Sequence, residues 1–243
     1  MEKLSNADIK WIKRLHEKQT RKTTQSYIIE GEKMLTEALA TTAVNILKVV
    51  STMADLEQQF RLTGVSVFRC SPAEMDRISA LKSPTPILAV LRINNSKPTL
   101  TGKILCLDNI QDPGNLGTII RIADWFGIEQ IVASEHTVDA YNPKTVQASM
   151  GSIFRVNIHY TDINAFLSSC ALPIYGAMMD GESMASLNME QPAVLVIGNE
   201  GNGISKPVIE HLTHRISIPR IGKAESLNAA VATGILVSAW NRL

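Results

Sequence analysis

The sequence predicts an α/β protein in two parts: a small α/β unit over residues 1–94, and a larger domain over 98–243 built on a mostly parallel sheet. Three observations carry this. Short apolar runs alternate with segments of helical periodicity along the whole chain. The polar run Asn94-Asn95-Ser96-Lys97-Pro98 reads as a linker between two such series. In the second series, three apolar strands each lead into a loop rich in small and polar residues, and parallel sheets covered on both faces bind ligands beyond the carboxyl ends of their strands.

In the first part, Ile9, Ile12 and Leu15 recur at helical spacing and predict a helix over 7–18. A strand over 27–29, a helix over 32–40, a strand over 46–50, a helix over 54–61, a strand over 65–69, a helix over 72–80 and a strand over 87–91 follow. No cluster of catalytic side-chain types falls here, so the part reads as a recognition module. The second part opens with a strand over 103–107 and a helix over 115–126. A strand over 130–133, a helix over 143–150, a strand over 154–158, a helix over 162–169 and a strand over 174–178 come next. The series closes with strands over 193–197 and 216–219 and a helix over 226–241.

Composition narrows the class. Apolar residues are 45% and charged residues 19%, as in an ordinary globular protein. Cys70, Cys106 and Cys170 are far apart and show no metal or redox spacing, so they read as small buried residues in a reducing compartment. The opening MEKLSNADIK is charged, and the apolar run 229–240 is too short to span a bilayer, so a cytoplasmic protein without a membrane partner is expected. No metal is expected either. Of five histidines, His211 and His214 are three apart, with the second expected at a helix end rather than on a shared ligand face. Charge is uneven. Residues 1–94 hold 14 Lys/Arg against 10 Asp/Glu, and the first 22 hold seven against three. That suits an anionic partner such as nucleic acid, although a solvated helix face has the same composition.

Loop one reads Asp108-Asn109-Ile110-Gln111-Asp112-Pro113-Gly114-Asn115-Leu116-Gly117. Pro113-Gly114 forces a turn, and Asn115 is the expected helix cap. Gly117 and Arg121 are four apart on one helix face, where a small residue would let a ligand approach beside the guanidinium. Loop two, Gly198-Asn199-Glu200-Gly201-Asn202-Gly203, follows an apolar strand directly. Its glycines let main-chain groups approach a ligand closely. Neither Walker nor G-x-G-x-x-G spacing is present, which argues against phosphate cradling and NAD. In loop three, Ile218 to Asn228, Ser226 and Asn228 stand at the entrance of a helix of small and apolar residues, expected to be buried on most sides. A turn with a cap, a Gly-rich turn feeding a helix at Ser205, and Ser226 as a plain N-cap are the bland alternatives for the three loops.

Together, D-P-G-N-x-G-x-x-x-R ending at Arg121, G-N-E-G-x-G ending at Gly203 and I-P…S-L-N ending at Asn228 resemble the three motifs of the SpoU/TrmH methyltransferases, in that family's order. The segment containing Tyr27-Ile28-Ile29-Glu30-Gly31 resembles the family's N-terminal, L30e-like substrate-binding domain. The resemblance implies an α/β-knot domain whose C-terminal segment threads a loop as a deep trefoil knot, against the usual rule for chains. It implies S-adenosylmethionine held at the knot by Gly198, Asn199, Gly201, Ile218 and Leu227, largely through the backbone. It places Asn115, Arg121, Glu200, Ser226 and Asn228 at catalytic positions, and it implies a homodimer. The implied reaction is methylation of a ribose 2′-hydroxyl in RNA, ribosomal RNA before transfer RNA because of the L30e-like domain. A transfer-RNA 2′-O-methyltransferase and a non-catalytic RNA-binding relative are the alternatives. A guanidinium stays protonated, so Arg121 is expected to grip a phosphate beside the target nucleotide. Glu200 or a phosphate oxygen is then the proton acceptor, and Glu200 as a structural partner of Arg121 is the competing reading.

Overall fold

The computed structural model describes residues 2–56, 58, 64–94, 101–185 and 192–241. They group into two compact units: Met1–Asn95 with Tyr141–Phe154, and Ser96–Ala140 with Arg155–Leu243. The expected helix over 54–61 and the linker over 95–98 lie largely outside the described residues.

The first unit contains β1 (Glu2–Lys3), α1 (Asn6–Arg14), α2 (Lys18–Thr24), β2 (Ser26–Glu30), α3 (Glu32–Ala40), β3 (Ile46–Ser51), β4 (Val67–Arg69), α4 (Pro72–Ile78) and β5 (Ile87–Arg92). Its sheet runs β1-β4-β3-β5-β2, with β5 antiparallel to both neighbours and the other pairs parallel. Ile9, Ile12 and Leu15 enter one buried cluster with Val50, Leu88 and Val90, as their spacing requires. The helix expected over 7–18 stops at Arg14, and a second, unexpected helix begins at Lys18. The buried Arg21 guanidinium donates to the carbonyls of Leu15 and His16 at 2.8 Å, satisfying the open end of α1 while the chain turns into α2. The unit also holds α6 (Pro143–Ser149), which packs on β2, and Tyr141 lies 4.8 Å from Tyr27 between ring centroids. Residues 141–154, placed with the second domain by the sequence reading, therefore group with the first unit. Sequence spacing carries no sign of that long-range packing.

The second unit holds β6 (Lys103–Leu107), α5 (Pro113–Trp125), β7 (Gln130–Ser134), β8 (Asn157–Thr161), α7 (Ile163–Ser168), β9 (Ile174–Ser183), β10 (Ala193–Ile197), α8 (Lys206–Ile209), β11 (His214–Ser217) and α9 (Ala229–Asn241). All six strands are parallel, in the order β11-β9-β10-β6-β7-β8. Ile104, Val132, Val194 and Val196 form part of the buried cluster under α7 and α8. From β6 the chain moves through α5 to β7, while from β10 it leaves in the opposite direction through α8 to β11. Neighbouring strands whose connections part in this way open a crevice at their carboxyl ends.

In this unit three strands depart from expectation by two residues or more. The strand expected over 154–158 starts at Asn157, because left-handed Met150 and Gly151 and a 3₁₀ turn at Ser152–Phe154 take up the preceding residues. Pro219 lies outside β11, which ends at Ser217. Strand β9 runs five residues past its expected end. In its pairing, Arg215 faces Gly176 and the next residue, Ile216, faces Glu182, so 177–181 stand out between consecutive partners.

Candidate functional site

Loops one, two and three leave the carboxyl ends of β6, β10 and β11 and meet at that crevice. Helix α5 is capped by Asp112, whose Oδ1 accepts the Asn115 N–H at 2.8 Å, with Pro113 in the first turn. Asn115 is thus not the cap that the sequence suggested. Asp112 has the same capping chemistry three positions earlier, and Pro113 needs no N–H partner there. This frees the Asn115 side chain, whose Nδ2 donates to Glu200 Oε1 and whose Oδ1 accepts from Asn228 Nδ2 at 2.8 Å. Asn228 also caps α9, its Oδ1 accepting from the N–H groups of Ala230 and Val231 at 3.0 and 3.2 Å. The cap is therefore Asn228, not Ser226. One amide from each of loops one and three and the carboxylate of loop two form a single hydrogen-bonded chain.

Loop two closes on itself. Asn199 and Gly203 exchange backbone bonds at 3.0 and 2.9 Å, and Asn199 Oδ1 accepts from Gly201 and Asn202. Gly198 is obligatory here, since a Cβ would stand 2.2 Å from the Gly203 carbonyl carbon.

Beside the polar chain lies a cavity of about 570 Å³, within the usual range for small-molecule sites. Gly198, Asn199, Glu200 and Gly201 line it from loop two, and Ile218, Ser226 and Leu227 from loop three. Every cofactor-binding position expected from the sequence falls on its wall, together with Glu200 and Ser226. Asn115, Asn228 and Arg121 are not among the lining residues. Arg121 is exposed on α5 and makes no hydrogen bond or ion pair among the described residues, so the expectation of a Glu200–Arg121 pair is replaced by the Glu200–Asn115 bond. Gly117 is buried within the helix packing rather than open to a ligand.

Sequence reasoning missed Ala177, Met178 and Met179, which line the cavity from the outstanding part of β9. The signal was two flanking glycines in an apolar strand. A Cβ at Gly176 would meet Leu212 at 2.3 Å, and one at Gly181 would meet the Ile216 backbone at 2.6 Å.

Other chemistry-bearing residues serve the scaffold. Burial, and the Asp108 carboxylate nearby, push the Cys106 thiol well up, so it stays protonated. His214 opens β11 rather than ending a helix, and stacks on buried Tyr175 at 4.7 Å, because Thr213 already pairs with the start of β9. Among the described residues no group of three or more His, Cys, Asp or Glu stands together as a metal site, and no helix is long and apolar enough to cross a membrane.

Comparison with known proteins agrees with this geometry. Residues 102–238 match the SpoU rRNA Methylase family, and residues 6–89 match an MRM3-like substrate binding domain. The chain is 33% identical to a 23S rRNA (guanosine(2553)-2'-O)-methyltransferase, RlmP, of Bacillus subtilis, over 98% of this chain and 97% of that protein. A TrmH-family protein from Porphyromonas gingivalis shares 36% identity and superposes with a TM-score of 0.90 over 98% of each chain. An AdoMet-bound rRNA methyltransferase from Sinorhizobium meliloti superposes with a TM-score of 0.88 at 29% identity, over 100% of this chain and 97% of that one. With three loops converging as the motifs require and the family's model spanning more than half of its length, the chain belongs to the SpoU rRNA Methylase family.

Proposed function

We propose that the protein transfers a methyl group from S-adenosylmethionine to a ribose 2′-hydroxyl of ribosomal RNA in the cytoplasm, working as a homodimer. The observation that carries this is the meeting of Asn115, Glu200 and Asn228 in one hydrogen-bonded chain beside the cavity walled by Gly198, Ile218 and Leu227.

The cavity's chemistry fits that cofactor. Its lining carries two carboxylates, Glu200 and Glu225, against one guanidinium, Arg220, which suits a sulfonium cation and opposes a polyphosphate. Loop two offers mainly main chain there, and Met178, Ile218 and Leu227 supply apolar wall. When bound, S-adenosylmethionine supplies an activated methyl group, so the protein's task is to orient and deprotonate the hydroxyl. Arg121, with its guanidinium unpaired among the described residues, grips the phosphate beside the target nucleotide as a fork on an oxyanion. Glu200 accepts the hydroxyl proton. The amide of Asn115 fixes one of its oxygens and leaves the other to act. Asn228 and Ser226 hold loop three in register with that carboxylate.

Residues 1–94 serve as the L30e-like RNA-binding module and residues 98–243 as the methyltransferase domain, with 141–154 of the latter packed into the first unit. Exposed Lys10, Lys13 and Arg14 on α1, with Lys18 and Lys22 on α2, support the first role, as does the substrate-binding match over 6–89. The knot reading is supported by the excursion of β9 over 177–181, which stands out between the partners of Arg215 and Ile216 within β11. The homodimer is supported by apolar surface left on α5 and α9, which pack on each other. Trp125 is 83% exposed, and Val231 and Ile235 are exposed one turn apart on α9. Ribosomal RNA is favoured by the name of the Bacillus subtilis relative.

The test is incubation with methyl-labelled S-adenosylmethionine and unmodified total RNA, followed by mapping of the label. Label on a ribose 2′-oxygen of ribosomal RNA is expected; label confined to transfer RNA would move the substrate, and no label would refute the activity.

A further inference from the structure

We infer that the buried carboxylate of Asp108 is a positioning residue for methyl transfer, acting through loop two; this rests on the methyltransferase reading above. Asp108 directly follows the central strand β6 on the side of the crevice and is only 5% exposed. Burying a carboxylate is costly unless it is hydrogen-bonded, and an apolar residue of similar volume would avoid the cost. What the charge does here is local and specific. Asp108 Oδ2 accepts the backbone N–H of Ser205 at 2.7 Å, holding the far end of loop two. The Asp108 N–H donates to the carbonyl of Ile197 at 2.9 Å, holding the near end. The next residue completes the grip. Asn109, in a left-handed conformation at φ 61°, accepts from Asn199 Nδ2 at 2.9 Å and donates its N–H to Ser134 Oγ at 2.9 Å. Asp108-Asn109 therefore clasps both ends of the loop that carries Glu200 and the Gly198 wall, and ties it to the same strand that leads to Asn115. None of the three family motifs contains Asp108, and it does not line the cavity. Its effect on the reaction is the placement of Glu200 relative to Asn115.

Three single variants of the full chain and the Asp108→Ala/Ser205→Pro double variant test this. Asp108→Asn keeps an acceptor oxygen at the same place, and Asp108→Ala removes it. Ser205→Pro deletes the donor from the other side, and the Ser205 φ of −67° already suits proline. Steady-state kinetics with S-adenosylmethionine and RNA, melting temperature and hydrogen exchange over 198–205 are measured on each. Asp108→Ala should lower kcat by roughly 10- to 100-fold, the scale of a small misplacement of a catalytic group, with the KM for RNA unchanged. Asp108→Asn should recover most of kcat. The double variant should lose no more than the worse single one, because both remove one bond. Unchanged kcat in Asp108→Ala and Ser205→Pro despite a lower melting temperature would overturn the inference, as would an Asn variant as poor as Ala. Failure of the wild-type protein to methylate any RNA would instead defeat the functional reading. Faster exchange over 198–205 in Asp108→Ala would still report the clasp.

Discussion

Loop two and loop three wall the same cavity, yet they are held in opposite ways. Loop two is bonded within itself by Asn199 and Gly203, and clasped at both ends by Asp108 and Asn109. Loop three is exposed from Pro219 to Asn228. Among the described residues its side-chain bonds are those of Arg220 to the Ala224 carbonyl at 3.3 Å and of Asn228 at the start of α9. The difference separates two tasks. The loop that carries Glu200, the proton acceptor of the proposed mechanism, is fixed by the protein's own bonds, which is what electrostatic preorganisation requires. Loop three makes few such bonds, so in the proposed mechanism its order comes from the ligand it encloses.

That division can be broken or sharpened by four variants, taken from the largest effect to the smallest, and one exchange measurement on the wild type. Arg121→Ala touches neither loop. It should cost about 10²–10³-fold in kcat, the loss typical of one preorganised donor, while the Kd for S-adenosylmethionine moves by no more than a few-fold; equal losses in both would make Arg121 a structural residue. Gly198→Ala forces a methyl against the Gly203 carbonyl. It should destabilise the fold by about 1–3 kcal/mol as an overpacked site and weaken cofactor binding in calorimetry, whereas an unchanged melting temperature would show loop two to be yielding. Asn228→Ala removes the α9 cap and the bond to Asn115. A loss of about 1 kcal/mol, or a fall in melting temperature of about 2–4 °C for a chain of this length, is expected, with a larger fall in kcat than in stability. Leu227→Ala acts on a side chain 46% exposed. Stability should change by less than about 0.5 kcal/mol while cofactor affinity drops. In the wild type, added S-adenosylmethionine should slow hydrogen exchange over 219–228 more than over 198–205; the reverse order would invert the comparison.

Strands at 103–107 and 193–197 and the helix at 32–40 were legible to the residue, because each is a clean apolar or amphipathic run with a sharp polar or glycine boundary. Of the cavity's walls, Gly198, Asn199, Gly201, Ile218 and Leu227 were reached through the motifs' resemblance to the family, whereas Ala177, Met178 and Met179 were not. The helix caps were not. Asp112 competes with Asn115, and Ser226 with Asn228, within a few positions of each other, and only the geometry shows which oxygen meets an N–H. Nor was the split at Leu15, which depends on a guanidinium six residues further on. The grouping of 141–154 with the first unit and the long excursion of β9 arise from partners distant in sequence, which no periodicity can register.

Gly198 carries a consequence for how this pocket can change. With no room for a Cβ there, the wall that loop two gives the pocket cannot be retuned at that position one codon at a time. Its surroundings are open to drift, whereas a new ligand specificity would demand a new course for the main chain.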